Sequence, residues 1–269
     1  MLTACIQMNS GNDPAKNIAR ASEIIRAAAA EGAQFVLTPE CVGLMAGSRA
    51  ELFALACTEG ESRALAAFTG LAKELSIWLL LGSLAIRPEG EAKVRNRSFL
   101  INPEGNIAAR YDKIHLYDAV IPNAPRYQES ESYCSGGKMV LSDLPGFRLG
   151  MTVCYDVRFP HLYRALAKGG AQAIAVPAAF VRYTGQAHWE VLLRARAIEN
   201  GCYILAPAQT GDHPGGRHTF GHAMIIDPWG EILADAGTQE GFCIAGVNAA
   251  RVAEIRARIP SLTHDREFE

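Results

Sequence analysis

Three side chains of kinds that perform acyl chemistry each stand just past a short apolar run: Glu40 after "QFVLTP", Lys113 within "ARYDKIHLYD", and Cys154 after "FRLGMTV". A thiol can attack the carbonyl carbon of an amide. A carboxylate can take the thiol proton and return it to the departing nitrogen, and an ammonium can hold the oxyanion formed in between. A free thiol, with a pKa of about 8.5, is only a few per cent ionised at neutral pH, so it needs such neighbours. The competing reading is a core thiol with two solvated loop charges, because cysteine is among the most often buried residues while Glu and Lys are mostly exposed. Whether the three side chains converge decides between the two.

The elements that must position them alternate along the chain. "LTACIQM" reads as a strand, and Asn12, Asp13 and Pro14 start a helix through "AKNIARASEIIRAAAAEG" that ends at Gly32. "QFVLT" is a short buried strand, "ESRALAAFTGLAKEL" a helix, and "WLLLGSLAI" a strand too apolar to have a solvated face. "RNRSFLINPEGNIAARYDK" reads as a hairpin turning at "NPEGN", and residues 112–137 as a long loop. Strand "FRLGMTV", helix "PHLYRALAKGG", strand "AQAIAVP", helix "HWEVLLRARAIENG" and strand "CYILAPA" follow, then a second hairpin, "HAMIIDPWGEILADA". This alternation predicts an α/β fold with mixed sheets, in one domain over residues 1–269. In such sheets ligands bind beyond the carboxyl ends of strands, where all three reactive residues stand.

The 269 residues are 49% hydrophobic and 20% charged, with a formal net charge of -2, so no basic surface calls for nucleic acid or an anionic membrane. A small molecule is the expected partner. The N-terminal segment has no basic leader with an apolar core, and no apolar run reaches membrane-spanning length. The seven cysteines are scattered and form no CxxC pair, which predicts free thiols and a cytoplasmic protein. In "GDHPGGRHTFGH" the residues Asp212, His213, His218 and His222 lie close together, but the glycines and Pro214 predict a loop without the helical His-x-x-x-His pattern. Hydrolysis by a thiol needs no metal, and neither a metal nor another cofactor is expected. A cysteine–histidine pairing of Cys154 with His188 or His222 has no supporting local pattern.

"LTPE", "RYDKIHLYD" and "CYDVRFP", in this order, resemble the signature segments of the nitrilase superfamily of carbon–nitrogen hydrolases. The likeness extends from "ACIQMNS" to "DPWGEILADAG" and "VNAARVAEIRARIP". It implies a four-layer α-β-β-α sandwich, a homodimer, and a catalytic triad of Glu40, Lys113 and Cys154 acting through a thioester. It further implies that Glu129 in "YQESESYCSGG", with Glu131 nearby, supports Lys113, and that the Tyr155 backbone N–H is the second oxyanion donor. Residues matching Arg158, Phe180 and Thr184 bind the acid end of 2-oxo acid amides in relatives, and His188 is expected to open a helix near that pocket. Arg217, in the loop 211–222, suits a carboxylate on the far side of the substrate. Within the superfamily, "TGQAHWEVLLRARAIENGCYILAPAQTGDH" and "RHTFGHAMIIDPWG" most resemble amidases of deaminated glutathione. Omega-amidases acting on 2-oxoglutaramate are the alternative, with other aliphatic amidases and nitrilases beyond them. Two readings of other classes are a superfamily member that binds a metabolite or protein without turnover, and a redox sensor with Cys134 as resolving thiol. The joint presence of Glu40, Lys113, Cys154 and Glu129 goes against a pure binding module.

Overall fold

Strand β1 (Leu2–Met8) is buried on both faces because it lies between two cores. Ala4, Ile6 and Met8 face one hydrophobic cluster with Ile24, Ile25 and Phe68, whereas Cys5 belongs to another with Leu37, Leu80, Leu149 and Ile204. With a side-chain period of two, such a strand belongs to a sheet covered by helices on one face and by a second sheet on the other. The computed structural model, which describes residues 1–121 and 126–267, shows that layering.

In chain order the first half runs β1, α1 (Pro14–Ala30), β2 (Phe35–Leu37), α2 (Arg49–Leu55), α3 (Arg63–Leu75), β3 (Trp78–Ile86), β4 (Val94–Ile101) and β5 (Ile107–Asp112). Short strands β6 (Asp118–Ala119), β7 (Tyr127–Gln128) and β8 (Tyr133–Cys134) precede β9 (Val140–Leu144) and β10 (Phe147–Met151). Then come α4 (Pro160–Lys168), β11 (Ala173–Ala175), α5 (Arg182–Asn200), β12 (Tyr203–Ala206), β13 (Ala208–His213) and β14 (Arg217–Phe220). The chain continues through β15 (Met224–Ile226), β16 (Ile232–Asp235), β17 (Gly241–Gly246) and α6 (Ala249–Arg258).

One sheet runs β14-β13-β1-β2-β3-β4-β5, with β17 also paired to β1 and β8 to β4; the other runs β16-β15-β12-β11-β10-β9. The centre of each is parallel, and the two predicted hairpins, β4–β5 and β15–β16, supply antiparallel edges. Helices α1 and α3 pack on the first sheet, and α4 and α5 on the second, completing the α-β-β-α sandwich. Helix α1 starts where the sequence signals it: the Asp13 carboxylate caps the N–H groups of Ala15 and Lys16, and Pro14 occupies the first turn.

Three local expectations are corrected. Helix α5 begins at Arg182, so His188 lies inside it instead of opening it. The histidine-rich "loop" is an antiparallel hairpin with Thr210 opposite Phe220 and His213 opposite Arg217, in which only Gly215 and Gly216 form the tip. The segment 112–137 is likewise not a plain loop, because it carries the β6–β7 ladder and β8, which places Cys134 in a strand.

Candidate active site

Glu40, Lys113 and Cys154 follow β2, β5 and β10, and the two facing sheets bring these strand ends together. The close approach of β3 seats the first of them. Gly82 lies under the backbone of Thr38 and Pro39, where a Cβ would meet the Thr38 carbonyl oxygen at 2.1 Å, so any larger residue would push the Glu40 turn outward. Gly82 N–H also donates to Thr38 Oγ1 at 3.1 Å. Cys154 has φ of 48°, an unusual left-handed conformation for a residue with a Cβ, and it starts the 3-10 turn Cys154–Arg158. That turn is held by Asp156, fully buried, whose carboxylate accepts from Val153 N–H at 2.8 Å, Tyr111 O–H at 2.7 Å and His115 N–H at 3.0 Å. Asp156 thereby ties the Lys113 segment to the cysteine turn.

The Lys113 ammonium, 2% exposed, donates to Glu40 Oε1 at 2.9 Å and to Glu129 Oε2 at 2.8 Å. Asn96 Nδ2 bridges the same two carboxylates, at 2.9 Å to Glu40 and 3.0 Å to Glu129. Glu40 Oε2 accepts from Ala179 N–H at 2.9 Å. Glu129, not Glu131, is thus the second carboxylate, and Tyr117 N–H fixes it at 2.7 Å. Burial pushes Lys113 down, but the charges of Glu129 and Glu40 outweigh it and hold the ammonium well above its usual range. Glu40 is likewise raised by burial, yet Lys113 outweighs this and keeps it below the usual carboxylate range. Burial and the Glu40 charge push the Cys154 thiol well up, with Lys113 opposing. The directions of these shifts favour thiol, carboxylate and ammonium, an arrangement in which an attacking thiol could pass its proton to a base already ionised.

Two chambers meet at Cys154. The larger, about 420 Å³, is lined by Met45, Arg49, Arg126, Tyr133, Arg217 and His218 among others. The smaller, about 20 Å³, is lined by Tyr117, Tyr155, Arg158, Phe180 and Thr184 with Ala179 and Val181. In the small chamber the Arg158 guanidinium carbon lies 5.3 Å from the Phe180 ring centre and 6.0 Å from that of Tyr155, while Phe180 packs on Trp189 at 4.8 Å. The Thr184 hydroxyl donates to Val181 C=O at 3.2 Å, within its own helix turn. His188 stands outside both chambers on the exposed side of α5, its Nδ1 3.3 Å from Arg158 Nη2, so it orients the guanidinium and does not line the pocket. Arg217 reaches the large chamber from β14, beside Met45 Sδ at 3.7 Å. The Tyr155 N–H lies in the first turn of the 3-10 segment, where helical N–H groups have no partner within the helix.

The histidines of the β13–β14 hairpin and its exit go separate ways: His213 bonds Ser10 C=O and Thr219, His218 bonds Asp212, and His222 bonds Asp235. Among the described residues no three His, Cys, Asp or Glu side chains are grouped to hold a metal ion. Asn96, Tyr117 and Asp156 were not singled out from sequence. The structure places Asn96 through β4, where Val94, Asn96 and Ser98 face inward while Arg95 and Arg97 do not, which sets polar residues on a core face.

Residues 2–257 match the family model described as carbon-nitrogen hydrolase. The chain is 44% identical to the deaminated glutathione amidase of Synechocystis sp. (strain PCC 6803 / GT-S), covering 98% of this chain and 97% of that one. It is 36% identical to the human omega-amidase NIT2, covering 98% and 94%. Its fold is similar to the crystal structure of the C. elegans NitFhit protein, with a TM-score of 0.92 at 38% identity, over 98% of this chain and 65% of that one.

Proposed function

Since this chain belongs to the carbon–nitrogen hydrolase family and is an amidase, we propose that Cys154 is its nucleophile and that its substrate is a 2-oxo acid amide with a large leaving group, deaminated glutathione. The observation that carries the substrate reading is the pair of unequal chambers meeting at the thiol, with Arg158 in the small one and Arg217 in the large one. The first, with room for little more than one water-sized group, suits only the acid tip of an acyl chain facing Arg158, and the second has room for the rest of the substrate, including a peptide-like amine with its own carboxylate. Glu40 takes the Sγ proton as sulfur bonds to the carbonyl carbon. Lys113 Nζ and Tyr155 N–H hold the oxyanion. Glu40 then gives its proton to the nitrogen, the C–N bond breaks and the thioester remains. Water, losing a proton to Glu40, attacks the thioester; the C–S bond breaks and sulfur regains that proton. Glu129 and Asn96 hold Lys113 and Glu40 in place throughout.

Arg158 would face the acid end of 2-oxoglutaramate in the same way, which supports omega-amidase activity as a second reading alongside the similarity to human omega-amidase NIT2. Comparing kcat/KM for deaminated glutathione, followed by 2-oxoglutarate formation, with that for 2-oxoglutaramate separates the two. A higher value for deaminated glutathione is expected, and preference for 2-oxoglutaramate would move the assignment to omega-amidase.

We further propose a cytoplasmic homodimer. Tyr183, Val191 and Ile198 recur at helical spacing on α5 and are 60%, 66% and 52% exposed, with Trp229 51% exposed on the β15–β16 turn. A Val191→Glu, Ile198→Glu double variant should elute as a monomer in light-scattering chromatography. The seven cysteines, free in the structure, support a reducing compartment.

A further inference from the structure

The small chamber contains a hydroxyl without a partner. Tyr117 Oη is shielded from solvent and donates to no group of the described residues: the Thr184 hydroxyl lies close to it, but the Thr184 proton goes to Val181 C=O and no bond of ordinary geometry joins the two hydroxyls. Its position is nonetheless fixed. The ring packs edge-on to Tyr155 at 5.0 Å and tilted against Tyr127 at 5.2 Å. Its main chain exchanges hydrogen bonds with Glu129, N–H to Oε2 at 2.7 Å and C=O from Glu129 N–H at 3.2 Å, so the ring is built onto the same segment that holds Lys113. A buried hydroxyl left unpaired is unfavourable, and one locked in a pocket wall beside a nucleophile serves a group that arrives with the ligand.

An inventory of the chamber shows which group. A carboxylate offers about four acceptor sites, and a neighbouring ketone oxygen two more. Arg158 is the only cation among the residues lining the chamber, and one of its nitrogens is engaged with His188. Of the two other hydroxyls lining the chamber, the Thr184 O–H is committed to Val181 C=O, and the Tyr155 O–H is not among the shielded, unpartnered groups. That leaves Tyr117 as the shielded side-chain donor with its proton free. Burial and the neighbouring Cys154 push its phenol up to about 12, so it keeps that proton across the neutral range.

We propose that Tyr117 is a substrate-binding residue whose O–H donates to the 2-oxo acid end of the acyl group beside Arg158, and that Tyr117, and not Thr184, is the uncharged donor of the small chamber. This rests on the reading of the substrate as a 2-oxo acid amide. It makes the phenol a selector, because an acyl chain lacking the oxo acid leaves the hydroxyl buried and unpaired.

The test is Tyr117→Phe assayed with 2-oxoglutaramate and with pentanamide, an amide of equal chain length that lacks the oxo acid. The variant should lose roughly 10- to 100-fold in kcat/KM with 2-oxoglutaramate. It should change less than about threefold with pentanamide. Competitive inhibition by 2-oxoglutarate should weaken by the same factor as the first loss. The thermal midpoint should stay at or above that of the wild type, since no protein hydrogen bond is removed. Equal losses on both amides, or no loss on either, would overturn the assignment of Tyr117 while leaving the substrate class intact. A wild type that turns over pentanamide as well as 2-oxoglutaramate would instead remove the substrate class itself, and this proposal with it.

Discussion

Replacing Glu129 with Gln changes one oxygen to an NH2 group in a site where every contact to that carboxylate is a donor. Asn96 Nδ2 approaches Oε1 at 3.0 Å, while Lys113 Nζ and Tyr117 N–H approach Oε2 at 2.8 and 2.7 Å. The amide therefore turns its nitrogen toward Asn96, the orientation that loses one hydrogen bond instead of two. A hydrogen bond to a charged group is worth about 1.5–3 kcal/mol, so stability should fall by that amount, with more if Lys113 shifts. For a chain of this size that is a drop of roughly 3–12 °C in Tm. Lys113 would keep only Glu40 as counter-charge and be drawn toward it, away from the oxyanion, at a cost of roughly 10²–10³ in kcat. The sign with pH follows from Lys113, which is raised in the folded state. Its pairing contributes stability that is fully present below the unfolded value of about 10.4 and is lost only as pH rises beyond it. The stability deficit of Glu129→Gln should accordingly be constant from pH 7 to 10 and narrow above that. Urea denaturation at several pH values, with kcat on 2-oxoglutaramate, measures both effects. A variant of reduced stability but wild-type kcat would refute the role given to Glu129 and leave it a structural ion-pair partner.

Cys154→Ala should fold with a circular dichroism spectrum like the wild type and form no product from either amide; residual turnover would remove the thioester mechanism. Arg217→Ala should reduce kcat/KM for deaminated glutathione by roughly 5-fold, the scale of one exposed ion pair. It should spare 2-oxoglutaramate, because Arg217 lines only the large chamber; equal loss on both would contradict the two-chamber assignment. His213 is held below its usual range by burial, with the Arg217 charge adding to it, so the folded protein favours the neutral ring. That contribution is present above about pH 6.5 and lost as pH falls, so wild-type stability should decline from pH 7 to 5 while His213→Gln, followed by urea titration, declines less.

The convergence of Glu40, Lys113 and Cys154 was legible because each sits where an apolar run stops, a pattern contained in a few neighbouring residues. Asn96 was not, because the same "RNR" stretch reads as three exposed polar residues until the β3–β4 ladder, with Asn96 opposite Ala85, turns the middle one inward. The start of α5 was misjudged for a related reason. Gly185 is a poor helix former and hides the first turns, yet it is there because Phe220 packs against it: a Cβ would lie 2.4 Å from Phe220 Cβ. That contact joins residues far apart in sequence, and no local window reports it. The same holds for the histidine-rich segment, whose glycines signal a turn but whose flanks pair because Thr210 and Phe220 are in register.

Position along the chain therefore separates two kinds of information in this molecule. The residues proposed to react lie at strand ends and depend on local periodicity, so they announce themselves. The groups that set charge and substrate choice depend on which ends meet. Nothing in the spacing pairs Lys113 with Glu40 and Glu129, which only the family resemblance brought to it and the fold sets at hydrogen-bond distance; Tyr117 is one aromatic among several, and only the fold gives it a shielded hydroxyl without a partner. Substitutions at the first kind of position should abolish turnover of every amide, and those at the second should change which amide is preferred or how tightly the site is held. Glu129 tests the boundary, since its carboxylate touches the ammonium proposed to hold the oxyanion and the backbone of the tyrosine proposed to face the substrate. A loss in Glu129→Gln that differs between 2-oxoglutaramate and pentanamide would show that the two kinds are mechanically joined there, whereas equal losses would confine its role to Lys113.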